Sequence, residues 1–314
     1  MNSPASRTTP LHAHPMLKQS GLTVTIVICT RHRPAALRNC LQAIARLSPP
    51  ADDVLVIDNS EGDPETVKVA GEFAVRYLVE AGTGLSRARN RGLAECGSDI
   101  IAYVDDDALP CENWLELILE PFSDPSVGSV TGDTIPPGVT ADAGHFPPSR
   151  SLSRKDRQWF EIATFGGLGM GTNMALRKSA CVEWKGFDVR LGRGAPLQIS
   201  EESHAFASLL NAGYRAVHVP AAVVVHPSKP IDIERIEEEA TCSVAYWLLL
   251  FFEFPGHRFD MVRFLSRRLR GESLTWPRDP QTPGEIISSG WRVRLKAGLA
   301  GALLYLRSRR LREK

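Results

Sequence analysis

Two hydrophobic patterns take turns along the first third of the chain. Residues 24–29 (Val-Thr-Ile-Val-Ile-Cys) form a β-branched run without in-out alternation, the pattern of a strand covered on both faces of a parallel sheet. Pro34 then suits a first helical turn, and Leu37, Cys40, Leu41, Ile44 and Leu47 recur at helical spacing until Pro49-Pro50 stops them. The cycle repeats with a strand at 54–57, a short helix near 65–72 and a strand at 75–79. It repeats again with a helix at 86–95, opened by Gly82-Thr83-Gly84, and a strand at 100–104. Alternating strands and helices predict a right-handed parallel α/β sheet through about residue 131.

Beyond Gly132 the pattern weakens. Residues 133–158 are rich in Pro, Gly, Ser and charge, and predict a mobile loop at a site. The glycines of 166–171 allow close backbone approach and lead into a strand at 172–176. A helix is predicted over 201–212, ended by Gly213, and a last short strand over 223–225. After Ile231 only helices are expected: one to Phe254, a basic one around 258–270 and a final basic one from Trp291.

Composition changes this picture in one respect. The chain of 314 residues has 37 basic and 36 acidic side chains and 43% hydrophobic residues, which excludes disordered, collagenous and disulfide-scaffold classes. The balance hides an asymmetry: residues 257–314 carry fourteen Lys/Arg against five Asp/Glu, a net of +9, and the rest carries −8. Six widely spaced cysteines without a CxxC pair predict reduced thiols rather than a zinc site. The polar stretch through Ser20 lacks the apolar core of a secretory signal, and the apolar stretch 244–252 is far short of a membrane span. A reducing, cytoplasmic setting is therefore expected.

The chemistry collects where strands end. Thr30-Arg31, Asp58-Asn59 and Asp105-Asp106-Asp107 each follow a predicted strand, and open parallel sheets bind ligands at the carboxyl ends of their strands. Three adjacent carboxylates repel, so such a triplet is expected where a cation offsets the repulsion. Carboxylate oxygens suit Mg²⁺ or Mn²⁺ bridging to phosphate. Asp105 and Asp107 would share one direction, with Asp106 facing the core or supporting them.

Four ordered blocks, at residues 25–34, 56–60, 84–92 and 101–107, together resemble family 2 glycosyltransferases of the GT-A fold. The resemblance covers residues 22–227. It implies an α/β fold of GT-A type, Rossmann-like with a mostly parallel sheet, and inverting transfer from a nucleotide sugar assisted by Mn²⁺ or Mg²⁺. UDP-sugars are the favoured donor. The implied organisation is a disordered lead-in at 1–21 and a GT-A domain at 22–230, with a nucleotide-binding half (22–131) and an acceptor-binding half (132–230). A basic helical region follows at 231–314.

Carried over by residue, the resemblance gives Thr30 and Arg31 to the nucleoside, Asp58 to its base, and Arg89 and Asn90 to base and diphosphate. Asp105, with Asp106 beside it, would hold ribose or sugar hydroxyls; Asp107 and His226 would hold the metal. Asn173, in Gly-Thr-Asn-Met-Ala, lines the sugar pocket. Glu201-Glu202 stands where the family shows Glu-Asp, so Glu202 replaces the usual base and Glu201 is the alternative. Lys185 replaces the first glycine of the family's Gly-Gly-Phe-Asp turn.

Two other readings stay open at this point. A sugar nucleotidyltransferase would need a glycine-rich loop after the first strand, and residues 30–34 contain no glycine. A non-catalytic nucleotide-sugar binding protein is compatible with the Glu-Glu departure. Arginines interleaved with Phe and Leu in the basic end predict peripheral contact with an anionic membrane surface. The alternative is packing on the acidic catalytic part or on another chain. No aromatic platform accompanies them, so nucleic acid is not an expected partner. The expected acceptor is a hydroxyl-bearing compound, a lipid-linked one among the candidates.

Overall fold

The chain is described by a computed structural model over residues 21–139, 146–165, 167–227, 233–270 and 291–309. The lead-in expected at 1–21 falls almost wholly outside the described residues, as do six positions of the expected loop at 133–158.

Strands β1 (Val24–Thr30), β2 (Asp53–Asp58), β3 (Arg76–Val79) and β4 (Ile100–Asp105) are parallel, in the order β3-β2-β1-β4. Helices α1 (Pro34–Ile44), α2 (Pro64–Ala70) and α3 (Leu85–Glu95) make the crossovers. The unalternating run of β1 is explained by its cover: Val27 belongs to the core on one face, while Ile26 and Ile28 belong to the core on the other. All three are fully buried.

The second half extends the same sheet. In chain order it adds β5 (Leu109–Pro110), α4 (Trp114–Leu119), β6 (Val127–Ile135), β7 (Arg150–Leu152), α5 (Trp159–Thr164) and β8 (Asn173–Arg177). The short α6 (Cys181–Trp184), α7 (Glu201–Asn211) and β9 (Arg215–Val225) complete it. β8 lies antiparallel between β4 and β6, and β9 runs parallel to β6. β7 and β5 cap opposite ends of the outer edge of β9. The segment read as a loop therefore starts as the end of β6 and includes β7. The last strand, expected at 223–225, is eleven residues long.

Three helices follow: α8 (Ile233–Glu253), α9 (Arg258–Leu269) and α10 (Trp291–Arg309). Their inner residues Ala245, Tyr246, Leu249, Leu250, Met261 and Tyr305 share one hydrophobic cluster with Phe206 and Leu209 of α7 and with Val27 of the sheet.

Candidate active site

Strand register brings the polar strand ends together. Thr30 is level with Asp58, and Cys29 with Asp105, so the three polar ends lie along one edge of the sheet. Asp105 is half-buried and directed to the site. Asp107 forms a 3.0 Å pair with His226 at the end of β9, through Nε2 and Oδ1. Asp105, Asp107 and His226 each offer a ligand atom within 4.8 Å of the others. Two carboxylates and an imidazole are a donor set suited to Mn²⁺, so the residues fit the expected cation.

Arg33 ties this group to the first loop, donating from Nη1 to Asp106 Oδ1 at 2.5 Å and from Nη2 to Asp107 Oδ2 at 2.8 Å. Asp106 also accepts from Thr30 Oγ1 at 2.8 Å. Desolvation pushes Asp106 up to about 6, against the Arg33 charge and the Thr30 bond. For Asp107, desolvation is outweighed by the His226 bond and charge and by Arg33, which hold it down to about 2. The role of Arg33 carried no signal in the sequence, because its partners lie more than seventy residues away.

Across the site stands the acidic start of α7. Ser200, in the left-handed region at φ 64°, turns the chain into Glu201 and Glu202. Such a conformation is unusual for a residue with a side chain and recurs at functional sites. Arg89 joins the two sides: Nη1 donates to Glu201 Oε1 at 2.8 Å, and Nη2 to Gly171 O at 3.1 Å and toward Asp105 Oδ1 at 3.4 Å. Its guanidinium lies over the rings of Tyr103 and Phe187, and the residue is 2% exposed. A Cβ on Gly171 would sit 2.7 Å from this guanidinium, so position 171 requires glycine.

The two glutamates are thus unequal. Glu201 is buried and held by Arg89. The Glu202 carboxyl has no ion-pair partner comparable to Arg89 on Glu201, and its pKa is pushed up to about 8 by desolvation and then by the Glu201 charge, against Arg89 and its own backbone N–H. A carboxylate poised in that range is suited to accept a proton near neutral pH.

Several expected contact residues spend their polar atoms inside the protein. Asp58, fully buried, accepts from Ser60 N at 2.8 Å, from the Ser60 hydroxyl and from Tyr77 OH at 2.5 Å. Asn90 is stapled to Phe187 by two bonds of 2.7 Å. Asn173, also fully buried, accepts from Trp114 Nε1 and donates to the carbonyls of Asp133 and Ala222, each at 2.8 Å. In this structure their polar atoms are thus engaged by neighbouring protein groups, with Asp58 and Asn173 fully buried and Asn90 half-buried, and Asp106, 3% exposed, faces inward. Arg31 is exposed at the end of β1, while Thr30 is turned inward to Asp106. Asn59, named in the sequence only as part of a polar strand end, accepts from Gly84 N and donates to the carbonyls of Glu80 and Gly82 at 2.7–2.8 Å. It thereby sets the glycine turn that opens α3. Lys185 adopts φ 68°, the conformation that explains why the resembled turn has glycine there.

With this geometry in view, comparison with known proteins is decisive. The sequence model of "Glycosyl transferase family 2" matches residues 25–184, just over half of the chain. The chain belongs to glycosyltransferase family 2. The pre-mycofactocin glycosyltransferase of Mycobacterium tuberculosis is 27% identical over 230 residues, covering 69% of this chain and 45% of its own length. The chain thus spans less than half of that relative. Glycosyltransferase AglE of Haloferax volcanii is 24% identical over 315 residues, covering 90% of this chain and 96% of its own. The mannosyltransferase PcManGT from Pyrobaculum calidifontis, solved in complex with GDP-Man and Mn²⁺, superposes with a TM-score of 0.58 at 18% identity. The superposition covers 91% of this chain and 87% of that one, a likeness of fold. This family 2 glycosyltransferase accordingly has the GT-A fold. Among its described residues no helix is long and apolar enough to cross a membrane.

Proposed function

We propose that this glycosyltransferase moves a sugar, with inversion, from a nucleoside-diphosphate sugar to an acceptor hydroxyl, with Mn²⁺ or Mg²⁺ held by Asp107 and His226 beside Asp105. One observation carries the reading: Arg89 links the Asp105 side of the crevice to the acidic start of α7. Donor phosphates and a proton acceptor are thereby set on opposite sides of one space. A bound cation would supply positive charge to the departing diphosphate. Arg31 flanks the nucleoside, and Thr30, Asp58, Asp106 and Asn173 keep the strand ends and loops in register. Glu202 takes the acceptor proton, while Glu201, neutralised by Arg89, orients the helix start that carries it. UDP is the favoured nucleotide, and the GDP-Man bound by PcManGT makes GDP the second to try.

The acceptor we favour is a lipid-linked saccharide or another glycoconjugate destined for the cell surface. The enzyme would work at the cytoplasmic face of a membrane, held there by its basic C-terminal helices. Thermal shift with UDP, GDP or dTDP tests the donor and metal parts together. One of them is expected to stabilise the chain only when Mn²⁺ is present, and Asp107→Ala should abolish the Mn²⁺-dependent part. An Asp107→Ala variant that keeps the full shift and full transfer would sink the metal assignment.

A further inference from the structure

Helix α10 is apolar on two opposite faces. Its inner face carries Ala297, Gly301, Tyr305 and Ser308; Ala297, Tyr305 and Ser308 are at most 5% exposed. There a Cβ on Gly301 would meet Thr241 O at 2.7 Å, so the glycine lets α10 lie directly on α8. The outer face carries Leu299, Leu303 and Leu306, spaced four and three residues apart and 67%, 56% and 56% exposed. Residues three and four apart share one side of a helix, so these leucines form a single stripe with nothing in the chain's described residues over it. Lys296, Arg307 and Arg309 are exposed on the same helix. Packing on α8 accounts for one apolar face and leaves the other without an internal purpose.

Charge selects what covers the outer face. Residues 291–314 contain eight Lys/Arg and a single acidic residue, a net of +7. A second copy of this chain meeting face to face would set +7 against +7, so self-association through the stripe is opposed. An anionic bilayer complements both properties: leucines enter the headgroup boundary while Lys and Arg reach the phosphates. Helix α9 repeats the motif with Phe259, Val262 and Leu265 exposed at 76%, 53% and 47% among Arg258, Arg263 and Arg267.

We propose that the Leu299–Leu303–Leu306 face of α10, with its flanking cations, docks flat on an anionic membrane surface. This deepens the membrane contact of the proposed function, yet it stands independently of the transfer chemistry and is read out without activity.

Co-sedimentation of the full chain with vesicles is the test, comparing phosphatidylcholine alone with phosphatidylcholine containing phosphatidylglycerol. Binding is expected only with phosphatidylglycerol, weakening as salt rises. The Leu299→Glu/Leu303→Glu/Leu306→Glu variant should lose about 100-fold or more in vesicle affinity while keeping the parent's melting temperature. Arg307→Glu/Arg309→Glu, which leaves the leucines in place, should weaken binding about tenfold or more. Equal binding by parent and leucine variant would overturn the proposal, as would failure of the parent to bind phosphatidylglycerol vesicles. So would a concentration-dependent dimer of the parent, seen by light scattering and lost in the leucine variant. If nucleotide-sugar transfer is absent but vesicle binding behaves as stated, the functional reading falls and the docking face stands.

Discussion

Glu202 has a carboxyl whose charged form the site disfavours and whose charged form catalysis requires. Desolvation and the neighbouring Glu201 charge push it up to about 8, so it is protonated in most molecules at neutral pH. Proton acceptance therefore grows as pH rises through that value, and kcat/KM should show an acidic limb centred near 8 in the donor-free enzyme. Glu202→Gln removes the acceptor and should lower kcat by about 10²–10⁴-fold. Stability should move the other way. A carboxyl with a folded pKa above its unfolded value binds more protons in the folded state between the two, so its contribution falls as pH rises from the ordinary glutamate range to about 8. The Gln variant should therefore melt higher than the parent at pH 9 and no higher at pH 4. Scanning calorimetry at the two pH values checks this. An unchanged rate in Glu202→Gln, or a rate limb absent near 8, would return the base role to Glu201. Glu201→Gln should behave differently, because it takes from the buried Arg89 guanidinium its nearest carboxylate and should lower stability.

At the scale of elements, a buried clasp fastens α8 to the catalytic half. Arg190, 1% exposed, grips Asp188 through Nε at 2.9 Å and through Nη2, and the same Nη2 reaches Glu253 at the end of α8. His204 of α7 stacks its edge near Phe254 and stands 3.8 Å from Glu253. Arg190→Ala would strand two carboxylates in a nearly dry site, and breaking such a pair costs about 3–5 kcal/mol. A drop in melting temperature together with a loss of transfer is expected; denaturant unfolding gives the magnitude. The clasp also marks what the sequence could and could not tell. β1, β2 and β4 were readable because parallel strands buried on both faces are apolar throughout. Helices α3 and α7 were readable from their glycine borders. β9 was not, since Arg215, His218 and Pro220 interrupt its apolar run. His218 is accommodated by Thr131 at 3.0 Å and Asp133 at 2.9 Å across the sheet, partners visible only once strands are paired. The same holds in the site: Asp105–Asp107 and Glu201–Glu202 announce themselves locally. The contacts of Arg33, Arg89 and Asn173 instead span from about 16 to 112 positions.

At the scale of the whole molecule, the charge changes sign near residue 257, but the core does not divide there or at residue 230. Ala245, Tyr246, Leu249 and Leu250 of α8 are at most 2% exposed, and they lie in the same cluster as Phe206, Leu209 and Leu210 of α7. Removing residues 231–314 would uncover the face of α7 opposite its acidic start, together with Phe160 of α5, which α8 and the turn after it cover through Phe254 and His257. Each large side chain so uncovered gives up about 1.5–3 kcal/mol. Only a handful are needed to exceed the 5–15 kcal/mol by which a domain is ordinarily stable. We therefore expect the full chain to unfold in one cooperative transition, seen alike by calorimetry and tryptophan fluorescence. A chain ending at residue 230 should be aggregation-prone or bind a hydrophobic dye, and should show no nucleotide-dependent thermal shift. The C-terminal helices would then divide two tasks, α8 closing the catalytic core and the basic α9 and α10 presenting cations and apolar side chains outward. A truncated chain that melts within a few degrees of the parent and keeps its nucleotide shift would show instead that the helices are an appended module, and that α7 holds its glutamates in place without them.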